Sequence, residues 1–311
     1  MGAGLLDSRD VIGSFFQRLE QQIGTEWLDD VSMLFQSDSA SEKYAWLGMS
    51  PIMRQWIGAR QAKSFRENSI TIENLDFEAT LEILVKELRR DKTGQMLVRI
   101  NDLADRTNAH WAQLLSTLIN NGETELAYDD KALYATDHED GESGAQSNLI
   151  SYNVVSPTAP TAAELELGIL TNISNMLAFV DDVGEPLNDG AKNFTFMTGT
   201  GLMAPLSAAL KNPTIVDGSG SRNNTVVNTM GSFGLKQVVN SRITAQDAIY
   251  MFRTDANTKA LIRQEEQPVS LDVIAEGSEL EFRLNRHQYG VKASRNVGTG
   301  FWQNTLKIQL T

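Results

Sequence analysis

Tyr44-Ala-Trp-Leu-Gly48, Met53-Arg-Gln-Trp-Ile-Gly-Ala-Arg60 and Asn74-Leu-Asp-Phe-Glu-Ala-Thr-Leu81 fall within one forty-residue window, and the reading of the chain turns on its last part. From Ile70 the apolar groups stand at Ile70, Ile72, Phe77, Ala79, Leu81 and Ile83, mostly at the two-residue period of a pleated strand. Thr71, Glu73, Glu78, Thr80 and Glu82 take the counter-face positions. Ordinary strands run about five or six residues. The pattern therefore predicts one unusually long strand, and a pair of arms on this scale projects beyond a compact domain. Such a projection exposes backbone donors and acceptors, a liability unless another chain covers it.

Working outward, the 311 residues suffice for one large domain or two modest ones. Hydrophobic residues make up 41% and charged residues 22%, the balance of a folded globular chain. The absence of cysteine excludes disulfides, thiolate nucleophiles and cysteine-ligated zinc. No apolar run approaches the roughly 20 residues of a membrane span, so no membrane partner is expected. The N-terminus lacks a basic segment followed by a long apolar one, so the expectation is synthesis and assembly in the cytoplasm. A net charge of −13 argues against a protein that grips phosphates. It promotes solubility and, secondarily, suits an acidic wall that repels a nearby duplex over about a Debye length, ~8 Å.

Residues 8–35 read as two short amphipathic helices, with Val11, Ile12, Phe15, Phe16, Leu19 and Ile23 on one face, a break at Gly24, and Trp27, Leu28, Val31, Leu34 and Phe35 continuing. Their polar faces mix Arg9 and Arg18 with Asp10, Glu20, Glu26, Asp29 and Asp30, which favours docking on protein over a membrane surface. Met96, Leu97, Ile100, Leu103, Ala104, Trp111, Leu114, Leu115 and Leu118 lie on one stripe. They predict a helix of about 27 residues, roughly 40 Å long, started by Asp91 or Thr93 and stopped by Asn120-Asn-Gly122. Thr161 opens a further helix, Phe194–Met197 a short strand, Gly201–Leu210 a short helix and Ala248–Phe252 a buried strand. Residues 216–227 read as a flexible loop by composition. The tail reads as strands: Leu280, Phe282 and Leu284 alternate, Val291 and Ala293 follow a Tyr289-Gly290 turn, and Leu306, Ile308 and Leu310 close the chain.

Four groups of residues, in order, resemble the major head subunit of Mu-like phages. They are residues 44–83 (Trp46-Leu-Gly48, Arg54-x-Trp56-x-Gly58-x-Arg60 and Asp76-Phe-Glu-Ala-Thr80), residues 121–138 (Tyr128-Asp-Asp-Lys-Ala-Leu-Tyr-Ala-Thr-Asp-His138), residues 176–187, and residues 289–303 (Tyr289-Gly-Val-x-Ala293 with Gly298-x-Gly-Phe-Trp-Gln303). The agreement thins over 88–120 and near 218–224. The resemblance implies a tailed-phage major capsid protein of the Hong Kong 97 type, an α+β fold. It implies an N-terminal arm (1–51), an extended hairpin loop (52–80), a peripheral domain (81–158, with a spine helix at about 93–120), an axial domain (159–262), and C-terminal strands (263–311) returning to the peripheral domain. It further implies hexamers and pentamers closing an icosahedral shell around double-stranded DNA without specific binding. A separate scaffold, a portal and a decoration or cement protein are the implied partners. No large N-terminal propeptide is expected, because the long charged helical extension of fused scaffolds is lacking. An encapsulin-like compartment is the alternative within this class.

Enzymatic readings are weaker. Asp137-His138 alone suggests acid–base or metal chemistry, but a hydrolase also needs a nucleophile or an open metal site. The only histidines are His110, His138 and His287, with no His-x-x-x-His or His-Glu-x-x-His spacing. A soluble hydrolase using Asp137 and His138 is thus the minor alternative to a structural turn. Asp181, Asp182, Glu185 and Asp189 lack the calcium-loop pattern, since Gly184 falls fourth and Pro186 intrudes. Gly199-Thr-Gly201 and Gly218-x-Gly220 lack the phosphate-loop lysine and the dinucleotide spacing. No enzyme activity, cofactor or metal is expected. The candidate functional residues are those of an assembly interface. Arg54, Arg60, Lys63 and Arg66 on the first arm face Glu73, Asp76, Glu78 and Glu82 on the second, and Trp56 and Ile57 supply apolar adhesion. Lys63 could donate to a covalent cross-link, but no acceptor is identifiable, so none is predicted. Each exposed pair contributes only about 0–1 kcal/mol. If the arm charges fix the register between neighbours, reversing Arg60 to Glu prevents particle formation, scored by sedimentation; particles that form normally would refute the pairing.

Overall fold

The computed structural model describes residues 8–21, 24–44, 69–90, 94–217, 220–229 and 232–311. In chain order the elements are α1 (Ser8–Leu19), α2 (Leu28–Val31), β1 (Ser32–Gln36), β2 (Ser41–Tyr44), β3 (Ile70–Glu73), β4 (Leu75–Leu84), α3 (Val85–Arg90), α4 (Gln95–Asn120), β5 (Leu149–Tyr152), α5 (Ala162–Leu177), β6 (Asn193–Thr198), α6 (Met203–Lys211), β7 (Thr214–Asp217), β8 (Gly220–Asn223), α7 (Thr225–Thr229), β9 (Gly234–Val239), β10 (Ala248–Arg253), β11 (Leu261–Ile274), α8 (Glu279–Leu284), β12 (Arg286–Thr299) and β13 (Thr305–Leu310).

Two sheets organise them. A four-stranded sheet runs β1-β11-β12-β4, with β1 parallel to β11 and the remaining pairs antiparallel. A five-stranded sheet runs β5-β13-β10-β6-β9, mixing parallel outer pairs with antiparallel inner ones. The α4 stripe predicted from sequence forms a 26-residue helix, about 39 Å long at 1.5 Å per residue. Gly94, at φ 73°, takes its N-cap position; Asp91 and Thr93, the expected starters, lie outside the described residues. The N-terminal half of α4 buries Met96, Ile100 and Ala104 against Val11, Phe15, Ile83, Tyr289 and Val291. Its C-terminal half buries Ala112, Leu115, Leu118 and Ile119 in a second, larger core that includes both α5 and the five-stranded sheet. α5 starts where expected: Thr161 Oγ1 accepts from the Glu164 amide (3.3 Å), and the Glu164 carboxylate accepts from the Thr161 amide (2.8 Å). This reciprocal cap satisfies two otherwise orphaned donors.

Several expectations are corrected. The single strand expected over 70–83 is two strands. Asn74 is pinned sideways, its amide donating to Ala40 O (2.8 Å) and its side chain to Ser39 O (2.7 Å), so β3 pairs with β2 while β4 pairs with β12. The second N-terminal helix is only four residues long; Ser32–Gln36 instead forms β1, because the edge of β11 offers a backbone ladder that outweighs weak local helical preference. Leu280, Phe282 and Leu284 do not alternate along a strand. Ser278 caps α8 by accepting from the Glu281 amide (3.2 Å), and Asn285 at φ 52° ends it. Tyr289-Gly290 is not a turn but lies inside β12, flanked by β11 and β4, since α8 already reverses the chain. The Gly/Ser loop contains the β7–β8 pair, in which Arg222 reaches both Asp217 (3.0 Å) and Glu166 (2.5 Å). The last strand, β13, sits between β5 and β10, so the C-terminus completes the five-stranded sheet across the boundary drawn at 262/263.

The residues 299–305 that link the two sheets are buried around Trp302, which is fully enclosed. His138 stacks flat on its indole, with ring centroids 4.1 Å apart and planes 8° apart, and Phe179 meets it edge-on at 5.4 Å. Gln303 Nε2 donates to the Tyr128 hydroxyl (2.5 Å), and Asn188 Nδ2 donates to Gln303 O (2.8 Å). Of the two preceding glycines, Gly300 is the steric necessity, since a side chain there would meet fixed backbone, whereas Gly298 faces the end of the Ile72 side chain. A Cβ on Gly298 would lie 2.4 Å from Ile72 Cδ1, and one on Gly300 would lie 2.7 Å from Lys259 O. Truncating Trp302 to Ala should cost about 3–5 kcal/mol, the range for emptying a large aromatic site. The expected readout is a lowered urea midpoint of the unassembled subunit with an unchanged slope.

Candidate assembly interface

β4 is an edge strand among the described residues, and it carries the acids expected on the hairpin's second arm. Glu78 is exposed and accepts from Thr80 Oγ1 (2.9 Å); Lys292, opposite it in register, turns to Asp272 instead (2.9 Å). Glu82 is held below the usual carboxylate range by hydrogen bonds from Gln288 and Arg286. Glu73 ends β3, with its backbone oxygen accepting from Asn296 Nδ2 (2.7 Å) and its side chain exposed. Glu73 and Glu78 therefore belong to strands with different partners and do not form one charged row. Arg54, Trp56, Ile57, Arg60 and Lys63 lie outside the described residues.

Sequence reasoning missed a cleft of about 180 Å3 between α4 and the β4–β12 pair. Phe77, Ala79, Val291 and Ala293 floor it from alternate positions of the two strands, and Leu103, Arg106, Thr107 and His110 wall it from the helix. Ala79 faces Val291 and Ala293 faces Phe77 in register, so two small side chains leave the space open. At its end Arg295 is buried without a carboxylate partner within ion-pair distance among the described residues. It donates from Nε to His110 Nδ1 (3.0 Å) and from Nη2 to Thr107 O (3.2 Å), and its guanidinium lies 4.7 Å from the Trp111 ring centroid. Burial lowers Arg295 to about 10. Burial, reinforced by the Arg295 cation, lowers His110 to about 4. Accepting the guanidinium proton at Nδ1 requires a neutral imidazole, in keeping with that direction. The small-residue positions were the one signal for this cleft, and they are legible only once β4 and β12 are known to pair.

The geometry does not suit hydrolysis at Asp137 and His138. Asp137 is exposed and paired with Lys131, whereas His138 is fully buried, 2.6 Å from Asp129 Oδ2 and 3.2 Å from Asn148 Oδ1. His138 is thus sealed from any substrate and acts as a packing and hydrogen-bonding element. Asp181 Oδ1 accepts from the amides of Val183 and Glu185 (both 3.0 Å), which makes its acidic segment a helix-ending turn. Among the described residues no group of three or more His, Asp or Glu is placed to hold a metal.

Three of the four sequence groups noted above meet around Trp302: Tyr128 and His138, Phe179, and Trp302 with Gln303. A family model described as Mu-like prophage major head subunit gpT matches residues 10–159 and 217–310. The chain belongs to this family. It is 24% identical over 108 residues to the major capsid protein of Escherichia phage Mu, a match covering 35% of each chain. It is 24% identical over 148 residues to the Mu-like prophage FluMu major head subunit of Haemophilus influenzae, covering 48% of each. These matches thus span between a third and a half of the curated relatives' lengths. Among solved structures, a chain of the bacteriophage JBD30 procapsid superposes with a TM-score of 0.55 at 21% identity, over 97% of this chain and 74% of that one. A chain of the bacteriophage PhiM1 mature capsid gives 0.56 at 11% identity, over 91% and 86%. The fold of this head-subunit family member is the α+β Hong Kong 97 type.

The His110–Arg295 contact makes stability depend on pH. His110 has a folded pKa below its ordinary 6.5, so its contribution is complete above pH 6.5 and is lost as pH falls toward 4. Because the ring is partly exposed, we expect a loss on the order of 1 kcal/mol between pH 7 and 4.5. His110→Gln should flatten that part of the unfolding-midpoint profile; a profile unchanged by the substitution would contradict it.

Proposed function

We propose that this chain is the major capsid protein of a tailed phage or prophage, assembling as hexamers and pentamers into an icosahedral shell around double-stranded DNA. The observation carrying this reading is the family match over residues 10–159 and 217–310, joined to the fold shared with chains of phage capsids. The physical organisation agrees with it. A long subunit built on two linked cores presents an edge strand, a cleft and a distal tip, and repetition of modest contacts can close a finite object. In this reading α1, β1, β3 and β4 belong to the subunit's own body, into whose cores and sheets they pack. Residues 81–158 with C-terminal strands form the peripheral body, and 159–262 the core of an axial body. Most of the net charge of −13 serves solubility, and acidic surface facing the lumen keeps packaged DNA from adhering. The subunit acts structurally, without catalysis, as part of the virion after assembly in the host cytoplasm. A scaffold, a portal and a decoration protein are its expected partners.

Electron microscopy of the protein expressed alone and of particles from a complete infection tests this. The expected result is closed shells or capsomer rings, with particles from a complete infection containing double-stranded DNA. Discrete small oligomers under both conditions would overturn the proposal, and shells filled with protein cargo instead of DNA would replace it with a compartment.

A further inference from the structure

Phe282 stands on α8 with 93% of its surface exposed, at the tip where β11 turns back into β12. Leu284 and Ile274, at the same tip, are 56% and 49% exposed. A single exposed leucine is unremarkable, but a nearly naked phenyl with two aliphatic neighbours is a patch that asks for a partner. The helix that carries it is firmly built. Ser278 caps its start, Glu281 accepts from the Gly277 amide (2.7 Å), and Asn285 O accepts from the Val85 amide (3.0 Å). The backbone that presents Phe282 is thus fixed.

We infer that Phe282 of one copy inserts into the α4–β4–β12 cleft of a neighbouring copy. Three properties match. The first is size: the cleft holds about 180 Å3, and an apolar cavity of about 150 Å3 is enough for a benzene ring. The second is polarity, because Phe77, Ala79, Leu103, Val291 and Ala293 offer an apolar lining. The third is charge. Glu279 and Arg283 sit one turn apart on the solvent face of α8, 77% and 72% exposed, while Arg106 and Glu78 border the cleft. Glu279 can meet Arg106 as Arg283 meets Glu78. The pairs they leave, Glu279–Arg283 and Arg106–Asp102, are exposed i,i+4 contacts that cost little to exchange. The knob cannot fill its own cleft: Ala293 lies seven residues along β12 from Arg286, about 24 Å down the strand from the tip. Knob and hole are different surfaces of one subunit, so the contact is head-to-tail and propagates round a ring or across a shell.

This inference rests on the shell reading, and the test separates the two. The chain has no cysteine, so every disulfide is an engineered one. Shells of the double variant Phe282→Cys/Ala79→Cys, verified by microscopy and then oxidised, should give a ladder of covalent multimers on a non-reducing gel. Each single variant should remain monomeric on the same gel. Shells that assemble but yield no ladder, or a Phe282→Cys single variant that cross-links equally well, would overturn the inference and leave the shell reading intact. Failure of the unaltered chain to form shells would count against both. If the double variant does not assemble, Phe282→Ala decides. With unchanged subunit melting, at least a tenfold rise in the concentration needed for assembly supports the contact, and an unchanged threshold overturns it.

Discussion

One helix ties this subunit together. The two halves of α4 are buried in different cores, one under α1 and the four-stranded sheet, the other against α5 and the five-stranded sheet. A straight α-helix transmits axial displacement because each backbone bond spans only four residues. Neither core can shift along α4 without disturbing side chains packed on the other, and close-packed interiors resist such shifts. Arg18 reinforces one end, gripping Asp105 through two nitrogens at 2.7 and 2.8 Å and so fixing α1 on the helix. The cleft between α4 and the β4–β12 pair follows from where α4 lies.

The second constraint is the buried link around Trp302. Burying polar groups is costly unless each finds a partner. Here Asn148 makes this concrete: its Nδ2 donates to Leu133 O (2.7 Å), and its Oδ1 accepts from the Ala135 amide (2.9 Å) while facing His138. Asn188 likewise bridges Met176 O (3.0 Å) and Gln303 O (2.8 Å). Residues 123–148 and 181–189, which hold only isolated backbone bridges, are therefore held largely by side chains. Sequence groups far apart along the chain thus form one interlocked cluster.

Legibility from sequence followed the range of the forces involved. α5 was readable because Thr161 and Glu164 cap it locally, and α4 because its stripe runs for seven turns. The buried strands at Phe194–Met197 and Ala248–Phe252 were readable from unbroken apolar composition. What failed was decided by distant partners. Asn74 breaks a promising strand because Ala40 and Ser39 bind it, and Ser32–Gln36 becomes a strand because β11 has a free edge. The alternation at 280–284 misled because α8 buries none of its residues, so period carried no information about burial. Of the acids expected on the second arm, Glu73 ends β3 while Asp76, Glu78 and Glu82 stand on β4, and the two strands answer to different neighbours. The cleft was invisible until two strands and a helix from three parts of the chain came together.

The open side of β4 also governs what the molecule does while it waits. Asp76, Glu78 and Glu82 crowd a strand whose outer backbone groups are unpaired among the described residues. Two such strands brought side by side would set carboxylate against carboxylate, which disfavours pairing. Copies that meet edge to edge are thereby steered away from stacking into endless ribbons. The same acids that look like decoration on a single subunit act as a brake on fibre growth, leaving curved, finite growth as the open route.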